Sequence, residues 1–457
     1  MALVVVGESP ANARSPMLCM AIEAASENLR IVDIDAPPSV LVIAYHNAGI
    51  CQALFALFSA ILKSGEKLRA PAIWYNRETR TSYVIPPKGG NVDATKSREL
   101  FARGQSIWYD NISRALLNDG TIPALIRSGA IYGITTNPTI FSKAIPENAY
   151  DASIGALAKK SLAARQILDS LMVEDVQIAA DLFRELYEAT SYVDGYVSLE
   201  VSPELARNTE GTIKDVKRLA AFVDRPNVLF KVPGTKEGVE AIRVLTSLGY
   251  SINVTLLFDV IQYEAAANAY LKGLAEFVRN GGDARRVNSV ASVFVSRIDT
   301  TVDQLLGKIA GEDAKSLHGK AGISAMKEVY SRFREVFATA EFGELKAKGG
   351  RLQRVLWAST GTKNPAYSAT IYVDNLVAQD TVNTVPPATL AELLKNCSTA
   401  LAFSDSPDFS ELSRLEALGI DVRTVCSDLQ VKGVDSFMKS FDEVLAVIER
   451  KLVTMRA

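Results

Sequence analysis

The sequence predicts an α/β protein whose main part is a closed (β/α)8 TIM barrel, preceded by a small N-terminal α/β appendage. After residue 97 the chain alternates between short, apolar, β-branched runs and longer helical stretches. Eight such runs can be counted, and eight strand-plus-helix units favour a closed barrel over an open sheet. No G-x-G-x-x-G turn follows the first run, although an open dinucleotide-binding sheet would favour one.

Composition divides the chain into an N-terminal segment, a linker and the predicted barrel. Residues 1–85 contain the strand-like runs LVVVGES, RIVDIDAP and VLVIAY, a helix-like segment at 52–64 and a hairpin pattern, AIWYNRETRTSYVI. The stretch PPKGGN then interrupts every regular pattern, so we place a linker at residues 86–97. Residues 1–85 show no catalytic constellation, and the barrel is assigned to residues 98–457.

The barrel strands are predicted from runs that end in polar residues or turns. In chain order they are QSIWYD, GAIYGITTNP, GYVSLEV, NVLFKVPGT, YSINVTLLF, NSVASVFVSRID, RVLWAST and DTVNTVPPAT. The last segment, residues 411–451, carries the strand-like run IDVRTV and an amphipathic helix that begins near Asp435. We expect this segment to close the barrel and pack against it.

Composition excludes several classes of function. Lys and Arg total 50 against 52 Asp and Glu, so no global basic field points to nucleic acid or to an anionic membrane. The four cysteines form no C-x-x-C pair, and the two histidines, His46 and His318, lie far apart. We therefore expect neither a metal site nor a Ser-His-Asp triad. Acid and base chemistry must then come from Asp, Glu, Lys or Tyr.

The sequence indicates a cytoplasmic protein without a membrane partner. The apolar run at residues 3–6 lacks the basic region and the longer apolar region of a signal peptide. The apolar stretch at residues 50–62 is too short to span a bilayer and is typical of a buried helix.

Lys231 is the most distinctive candidate for chemistry. It lies inside an apolar strand, between Phe230 and Val232, where its ammonium would lose solvation and the neutral amine would be favoured. A neutral amine can attack a ketone. The alternative is a lysine that extends its charged end to solvent at the edge of the sheet.

Other polar residues end or interrupt the predicted strands, which is where a barrel places its active site. They are Asp110, Asn137, Glu200, Asn253, Thr255 and Ser292. Each has a structural alternative when taken singly. Asp110 could cap a helix, Asn137 could be a turn residue before proline, and Asn253 could be a hydrogen-bonded core amide.

Taken together, these residues resemble the transaldolases, specifically the longer plant and bacterial type, from about residue 95 to residue 457. The motifs IWYDNISR, GITTNPTIF, LFKVPGTKEG, INVTLLF, VASVFVSRID and LWASTGTKNPAYS follow the family's order and spacing. The resemblance implies that Lys231 forms a Schiff base, that Asp110 is the general acid/base, and that Glu200 and Thr255 hold a catalytic water. It further implies that Asn137 and Asn253 bind the donor's hydroxyl groups and that Ser292 helps to place the dihydroxyacetone unit.

A cationic anchor for phosphate is expected at the mouth of the barrel. Arg297 suits this role because a guanidinium binds phosphate oxygens through two bonds, and Ser359 and Lys363 in ASTGTK are the next candidates. Related short transaldolases carry an arginine in that loop, where this chain has Lys363. The alternative is that Arg297 pairs with Asp299 or with a surface carboxylate.

The predicted function is therefore transaldolase, acting on small phosphorylated sugars with no cofactor. The reversible reaction converts sedoheptulose 7-phosphate and glyceraldehyde 3-phosphate into erythrose 4-phosphate and fructose 6-phosphate, as the resemblance to pentose phosphate pathway enzymes implies. One alternative is a class I fructose-6-phosphate aldolase that releases free dihydroxyacetone. Glu200 and Phe294, a candidate for keeping water from the intermediate, favour transfer over release. A second alternative is a non-catalytic barrel that serves as a binding module, against which the intact Lys231, Asp110 and Glu200 argue.

Overall fold

The computed structural model describes residues 92–403 and 408–456, together with the backbone of five strands between residues 2 and 85. These strands are β1 Ala2–Gly7, β2 Arg30–Ile31, β3 Val40–Ala44, β4 Ala72–Asn76 and β5 Thr81–Ile85. They form one antiparallel sheet in the order β2-β3-β1-β4-β5. The hairpin predicted from AIWYNRETRTSYVI is confirmed, with Asn76 opposite Thr81. The helix predicted at residues 52–64 lies outside the described residues.

Eight parallel strands form the closed barrel, and all eight match the predicted runs. They are β6 Gln105–Tyr109, β7 Gly133–Ile134, β8 Tyr196–Glu200, β9 Val228–Pro233, β10 Ile252–Leu257, β11 Ser289–Phe294, β12 Gln353–Ala358 and β13 Thr381–Val385. Closure occurs between the last strand and the first, where Val385 pairs with Tyr109. The predicted (β/α)8 barrel is therefore confirmed.

Helices follow the strands and cover the outside of the barrel. The described α-helices are α1 Thr95–Ala102, α2 Arg114–Asn118, α3 Thr121–Ser128, α4 Pro138–Ala144, α5 Asp151–Ala158, α6 Ala164–Leu182, α7 Arg184–Ala189, α8 Thr209–Val223, α9 Lys236–Ser247, α10 Val260–Arg279, α11 Ser296–Leu306, α12 Glu312–Ser316, α13 Ala321–Val336, α14 Ala340–Ala347, α15 Ile371–Asp374, α16 Pro387–Lys395, α17 Ser410–Ala417 and α18 Val422–Arg456. Short 3-10 helices lie at Asn148–Tyr150, Pro203–Leu205 and Ala284–Arg286. Within the described ranges, no helix combines the length and the apolar character needed to cross a membrane.

One boundary and one strand assignment differ from the prediction. Helix α1 begins at Thr95, inside the segment assigned to the linker, because the Asp93 carboxylate accepts hydrogen bonds from the backbone and the hydroxyl of Thr95. The run IDVRTV is not a strand. Asp421 accepts from the backbone N–H groups of Arg423 and Thr424, and this cap starts the 35-residue helix α18. Capping and tertiary packing here override the β-branched pattern.

The segment at residues 411–451 was predicted to close the barrel. Helix α18 instead crosses the C-terminal mouth of the barrel. Its Cys426 Sγ lies 3.5 Å from the Phe258 carbonyl oxygen, just beyond the end of β10. At the centre of the helix, Ser440 Oγ lies 2.9 Å from Thr139 Oγ1 of α4. One face of α18 therefore rests on the end of β10 and on α4, and it forms a wall at the mouth.

The opposite end of the barrel is filled by a buried polar network. Asp194 accepts from Ser106 Oγ at 2.8 Å and from Trp108 Nε1 at 2.9 Å, and it pairs with Arg354 at 3.1 Å. Trp108 lies so close to Gly133 that a Cβ there would be 2.6 Å from the indole ring. Side chains thus fill this end of the described barrel, as is typical of the fold.

Candidate active site

The candidate site is centred on Lys231, which lies on β9 between two polar neighbours. Glu200 on β8 and Asn253 on β10 pair with it directly in the parallel register, so all three side chains lie in one layer of the barrel interior. Lys231 Nζ is 3.1 Å from Glu200 Oε2 and donates to the Thr136 carbonyl oxygen at 3.0 Å. Lys231 is 4% exposed and Glu200 is 6% exposed. The structure thus excludes a lysine that reaches out to solvent.

Two carboxyl groups share the charge of this lysine. Burial raises the pKa of Glu200, while the Lys231 charge and hydrogen bond oppose the rise and the Asp110 charge adds to it. Burial also raises the pKa of Asp110, against the charge of Lys231 and a hydrogen bond from Thr135 Oγ1 at 2.7 Å. Both carboxyls therefore hold a proton more tightly than an exposed carboxyl does, which is common for groups that exchange protons during a reaction.

Asp110 extends the first barrel strand instead of capping a helix. Its backbone N–H donates to the Val385 carbonyl oxygen at 2.9 Å, which continues the pairing of β6 with β13. The cap of the next helix, α2, is Ser113, whose side chain accepts from Leu116. The structural alternative considered for Asp110 is therefore wrong.

Asn253 belongs to a buried chain of hydrogen bonds that crosses three strands. Its Nδ2 donates to Ser198 Oγ at 2.9 Å, and its Oδ1 accepts from Ser292 Oγ at 2.7 Å. All three residues are buried. Sequence reasoning missed Ser198, although its position two residues before Glu200 in GYVSLE places it on the same inward face. Asn253 is thus the hydrogen-bonded core amide that the alternative described, within the layer that contains Lys231.

Thr255 is buried on β10, and its Oγ1 hydrogen-bonds no protein group among the described residues. Glu200 Oε1 is likewise buried without a hydrogen bond to described protein atoms. Both oxygens thus retain the capacity to bind a water or a substrate hydroxyl.

Asn137 caps a helix, a structural role that the alternative of a turn residue before proline described only in part. Its Oδ1 accepts from the Ile140 backbone at 3.0 Å, so the residue is the N-cap of α4, with Pro138 in the first turn. The side chain is half-buried, and its amide nitrogen makes no hydrogen bond within the described residues. That nitrogen remains available to a ligand at the mouth.

Arg297 provides positive charge at the mouth without a carboxylate partner. It lies in the first turn of α11, with its guanidinium carbon 5.4 Å from the centre of the Phe294 ring. No ion pair involves it in the part of the chain that the structure describes. Asp299 does not pair with it, because that carboxylate accepts from Gly322 and Tyr372 at 2.7 Å each. Burial lowers the pKa of Arg297, as expected for a cation that lacks a counter-ion.

The loop after β12 places a second cation beside Arg297. Desolvation lowers the pKa of Lys363, and the charges of Arg297 and Lys143 lower it further. Ser359 begins this loop in the left-handed region, with φ of 54°, and its Oγ lies 3.0 Å from Ser296 Oγ. Sequence reasoning missed Lys143, at the end of α4. Three cations whose charges act on one another at the mouth form a site suited to an anion.

Aromatic side chains line the space above Lys231. The centre of the Phe437 ring, on α18, lies 5.7 Å from Lys231 Nζ, and Phe437 is buried. Phe294 is buried beside Phe258, with ring centres 5.3 Å apart. Sequence reasoning treated Phe437 as a packing residue, because an apolar position on an amphipathic helix gives no indication of which partner it covers.

The arrangement brings together an amine, two carboxyl groups, hydroxyl and amide groups, and positively charged side chains at the mouth of the barrel. Comparison with known proteins agrees with this chemistry. A family model described as Transaldolase/Fructose-6-phosphate aldolase matches residues 107–448.

Individual relatives share this match over nearly their whole length. A protein named Transaldolase from Thiobacillus denitrificans is 40% identical over 355 residues, which are 77% of this chain and 99% of the relative. A Transaldolase from Saccharopolyspora erythraea is 44% identical over 356 residues, 76% of this chain and 95% of the relative. Another from Mycolicibacterium smegmatis is 42% identical over 360 residues, 77% of this chain and 96% of the relative. The chain therefore belongs to the transaldolase/fructose-6-phosphate aldolase family.

Proposed function

We propose that the protein is a transaldolase of the cytoplasmic pentose phosphate pathway, with residues 98–457 carrying the activity. It transfers dihydroxyacetone from fructose 6-phosphate or sedoheptulose 7-phosphate to an aldose phosphate, through a Schiff base on Lys231. The observation that carries the proposal is the buried Lys231 amine, 3.1 Å from the Glu200 carboxylate. A binding module would have no use for a buried amine that its own carboxylate can deprotonate.

The first half of the reaction forms the Schiff base. Glu200, whose pKa is raised, takes a proton from the Lys231 ammonium, and the free amine attacks the ketone carbon of the donor. The resulting carbinolamine loses its hydroxyl as water once Glu200 returns the proton. Thr255 and Glu200, each with a buried oxygen that makes no hydrogen bond within the described residues, hold that water. The product is an iminium joined to Lys231.

The second half breaks a carbon–carbon bond. Asp110 accepts the proton of the hydroxyl on the carbon that will leave with the aldose phosphate. That carbon becomes an aldehyde, and the electrons of the carbon–carbon bond pass to the iminium nitrogen. The aldose phosphate leaves, and an enamine remains on Lys231. When the acceptor aldehyde arrives, the steps run in reverse and Asp110 returns the proton. Asn137, Asn253 and Ser292 hold the hydroxyl groups of the dihydroxyacetone unit in position throughout.

Transfer is favoured over release of free dihydroxyacetone because the intermediate is kept from water. Phe294 and Phe437 are both buried near the amine or the mouth, so protonation of the enamine carbon by water is hindered. The relatives reported above are all named as transaldolases. Release remains the alternative chemistry of the family.

Loss of the amine should abolish transfer. In Lys231→Met, the rate of sedoheptulose 7-phosphate formation from fructose 6-phosphate and erythrose 4-phosphate should fall by roughly 10³-fold or more, because no covalent intermediate can form. Lys236→Met is the matched control, since Lys236 is exposed at the start of α9. Transfer by Lys231→Met at a rate near that of the control would refute the proposal.

The pH dependence should report Asp110. If Asp110 must be ionised to act as a base, kcat falls as pH drops through its raised pKa, so the acid limb lies above the ordinary aspartate range. Thr135→Val removes a hydrogen bond that lowers this pKa and should move the acid limb to higher pH by roughly half a unit to one unit. Thr136→Val, whose hydroxyl bonds the Ser198 carbonyl instead, is the control. If the acid limb of the kcat–pH profile lies at the same pH in both variants and in the wild type, the pH dependence belongs to a group other than Asp110.

Arg297 should determine the preference for phosphorylated acceptors. Arg297→Leu should lower kcat/KM for glyceraldehyde 3-phosphate by about 10- to 100-fold, because a charge-assisted bidentate contact is lost. Unphosphorylated glyceraldehyde makes no such contact, so its kcat/KM should change by no more than about twofold. Equal losses with both acceptors would show that Arg297 supports the structure of the site and does not bind phosphate.

A further inference from the structure

Strand β10 contains an irregularity beside the candidate site. Val254 pairs with Ala291 and Leu257 pairs with Val293, so three steps along β10 match two along β11. One extra residue is therefore accommodated in β10, which is a β-bulge. Leu256 takes the strain of the bulge with φ of 57°, a left-handed conformation that a leucine rarely adopts. Bulges of this kind change the direction of nearby side chains, and the residue before Leu256 is Thr255.

A side chain from a distant part of the chain holds this bulge. Gln430 Nε2 of α18 donates to the Leu256 carbonyl oxygen at 2.9 Å and to the Gly234 carbonyl oxygen at 3.0 Å. Gly234 follows β9, the strand of Lys231, and its own N–H donates to the Thr255 carbonyl oxygen at 2.7 Å. Because both of its targets are carbonyl oxygens, only a donor with at least two hydrogens can replace the Gln430 amide. One amide group thus ties the end of the lysine strand to the bulge.

Helix α18 approaches the bulge closely enough for this contact because of Gly433. A Cβ at that position would lie 2.9 Å from Leu256 Cδ2 and 3.7 Å from Arg297 Nη1. Gly433 is three residues from Gln430 and therefore on the same face of the helix, as is Phe437 one turn further on. The face of α18 that covers Lys231 is also the face that clamps β10.

We propose that Gln430 is a positioning residue for Thr255, a role that rests on the proposed function. Thr255 still pairs with Pro233, so its side chain keeps the inward direction of Asn253 two residues earlier. Without the clamp, Leu256 can relax to an ordinary strand conformation, and the change in its backbone displaces the adjacent Thr255 hydroxyl from its position. Gln430 therefore controls the dehydration step without contacting the substrate.

The test is a double-mutant cycle with Gln430→Met and Thr255→Val in the full-length protein. Enzyme is mixed with fructose 6-phosphate and quenched at intervals into borohydride, and the rate of adduct formation is read from intact mass. Gln430→Met should slow adduct formation roughly tenfold, with KM for fructose 6-phosphate changed by no more than about twofold. The double variant should be no slower than Thr255→Val alone, because Gln430 acts only through Thr255.

Several outcomes would overturn the proposal. They are a wild-type rate in Gln430→Met, a wild-type rate in Thr255→Val, and effects that multiply in the double variant. If Gln430→Met does not fold, Gln430→Lys is the second variant, because its ammonium can donate to both carbonyl oxygens. Gln430→Lys should form the adduct within about threefold of the wild-type rate. A rate as low as that of Thr255→Val would overturn the proposal. Wild-type enzyme that forms no adduct would instead refute the proposed function. Failure of the positioning role of Gln430 can thus be distinguished from failure of the proposed transaldolase function.

Discussion

The ion pair between Lys231 and Glu200 is the constraint on which the rest of the site depends. Burying two opposite charges in a barrel costs solvation that their attraction recovers only when geometry and hydrogen bonds are favourable. Here the register of β8 and β9 puts the two side chains side by side, and the Thr136 carbonyl accepts a further bond from the lysine. Burial disfavours the charged forms of both groups. A small change around the pair can therefore move a proton from Lys231 to Glu200.

The barrel separates chemistry from stability along its axis. At the closed end, Asp194 and Arg354 form a buried hydrogen-bonded network with Ser106 and Trp108. Toward the mouth, Glu200 Oε1 and Thr255 Oγ1 are buried and make no hydrogen bond to the described part of the chain. Polar groups that are satisfied stabilise a fold, whereas those that are not satisfied by protein can bind a ligand.

Local sequence patterns predicted the parts of this structure that depend on neighbours in the chain. The eight strands were predictable because each is a short apolar run followed by a turn or a helix cap, and Lys231 stood out as a charge inside such a run. The residues that sequence reasoning missed act across long distances in the chain. Ser198 is recognisable only through its bond to Asn253, and Gln430 only through the carbonyl groups of β9 and β10.

Helix α18 shows why the remaining features could not be predicted. Its first residues read as a strand, since nothing in IDVRTV indicates that Asp421 caps a helix that packs over the mouth. Its apolar face, which includes Phe437, has the same pattern whether it covers a core or an active site. The bulge at Leu256 was equally hidden, because a leucine in a left-handed conformation is selected by tertiary contacts and not by its own preference.

Locating the covalent intermediate tests the proposed role of Lys231 most directly. Wild-type protein treated with fructose 6-phosphate and borohydride should gain the mass of one reduced dihydroxyacetone unit, and peptide mapping should place it on Lys231. Lys231→Ala should gain nothing under the same conditions. An adduct on Lys363 or another lysine, or no adduct on protein that still transfers the three-carbon unit, would contradict the mechanism.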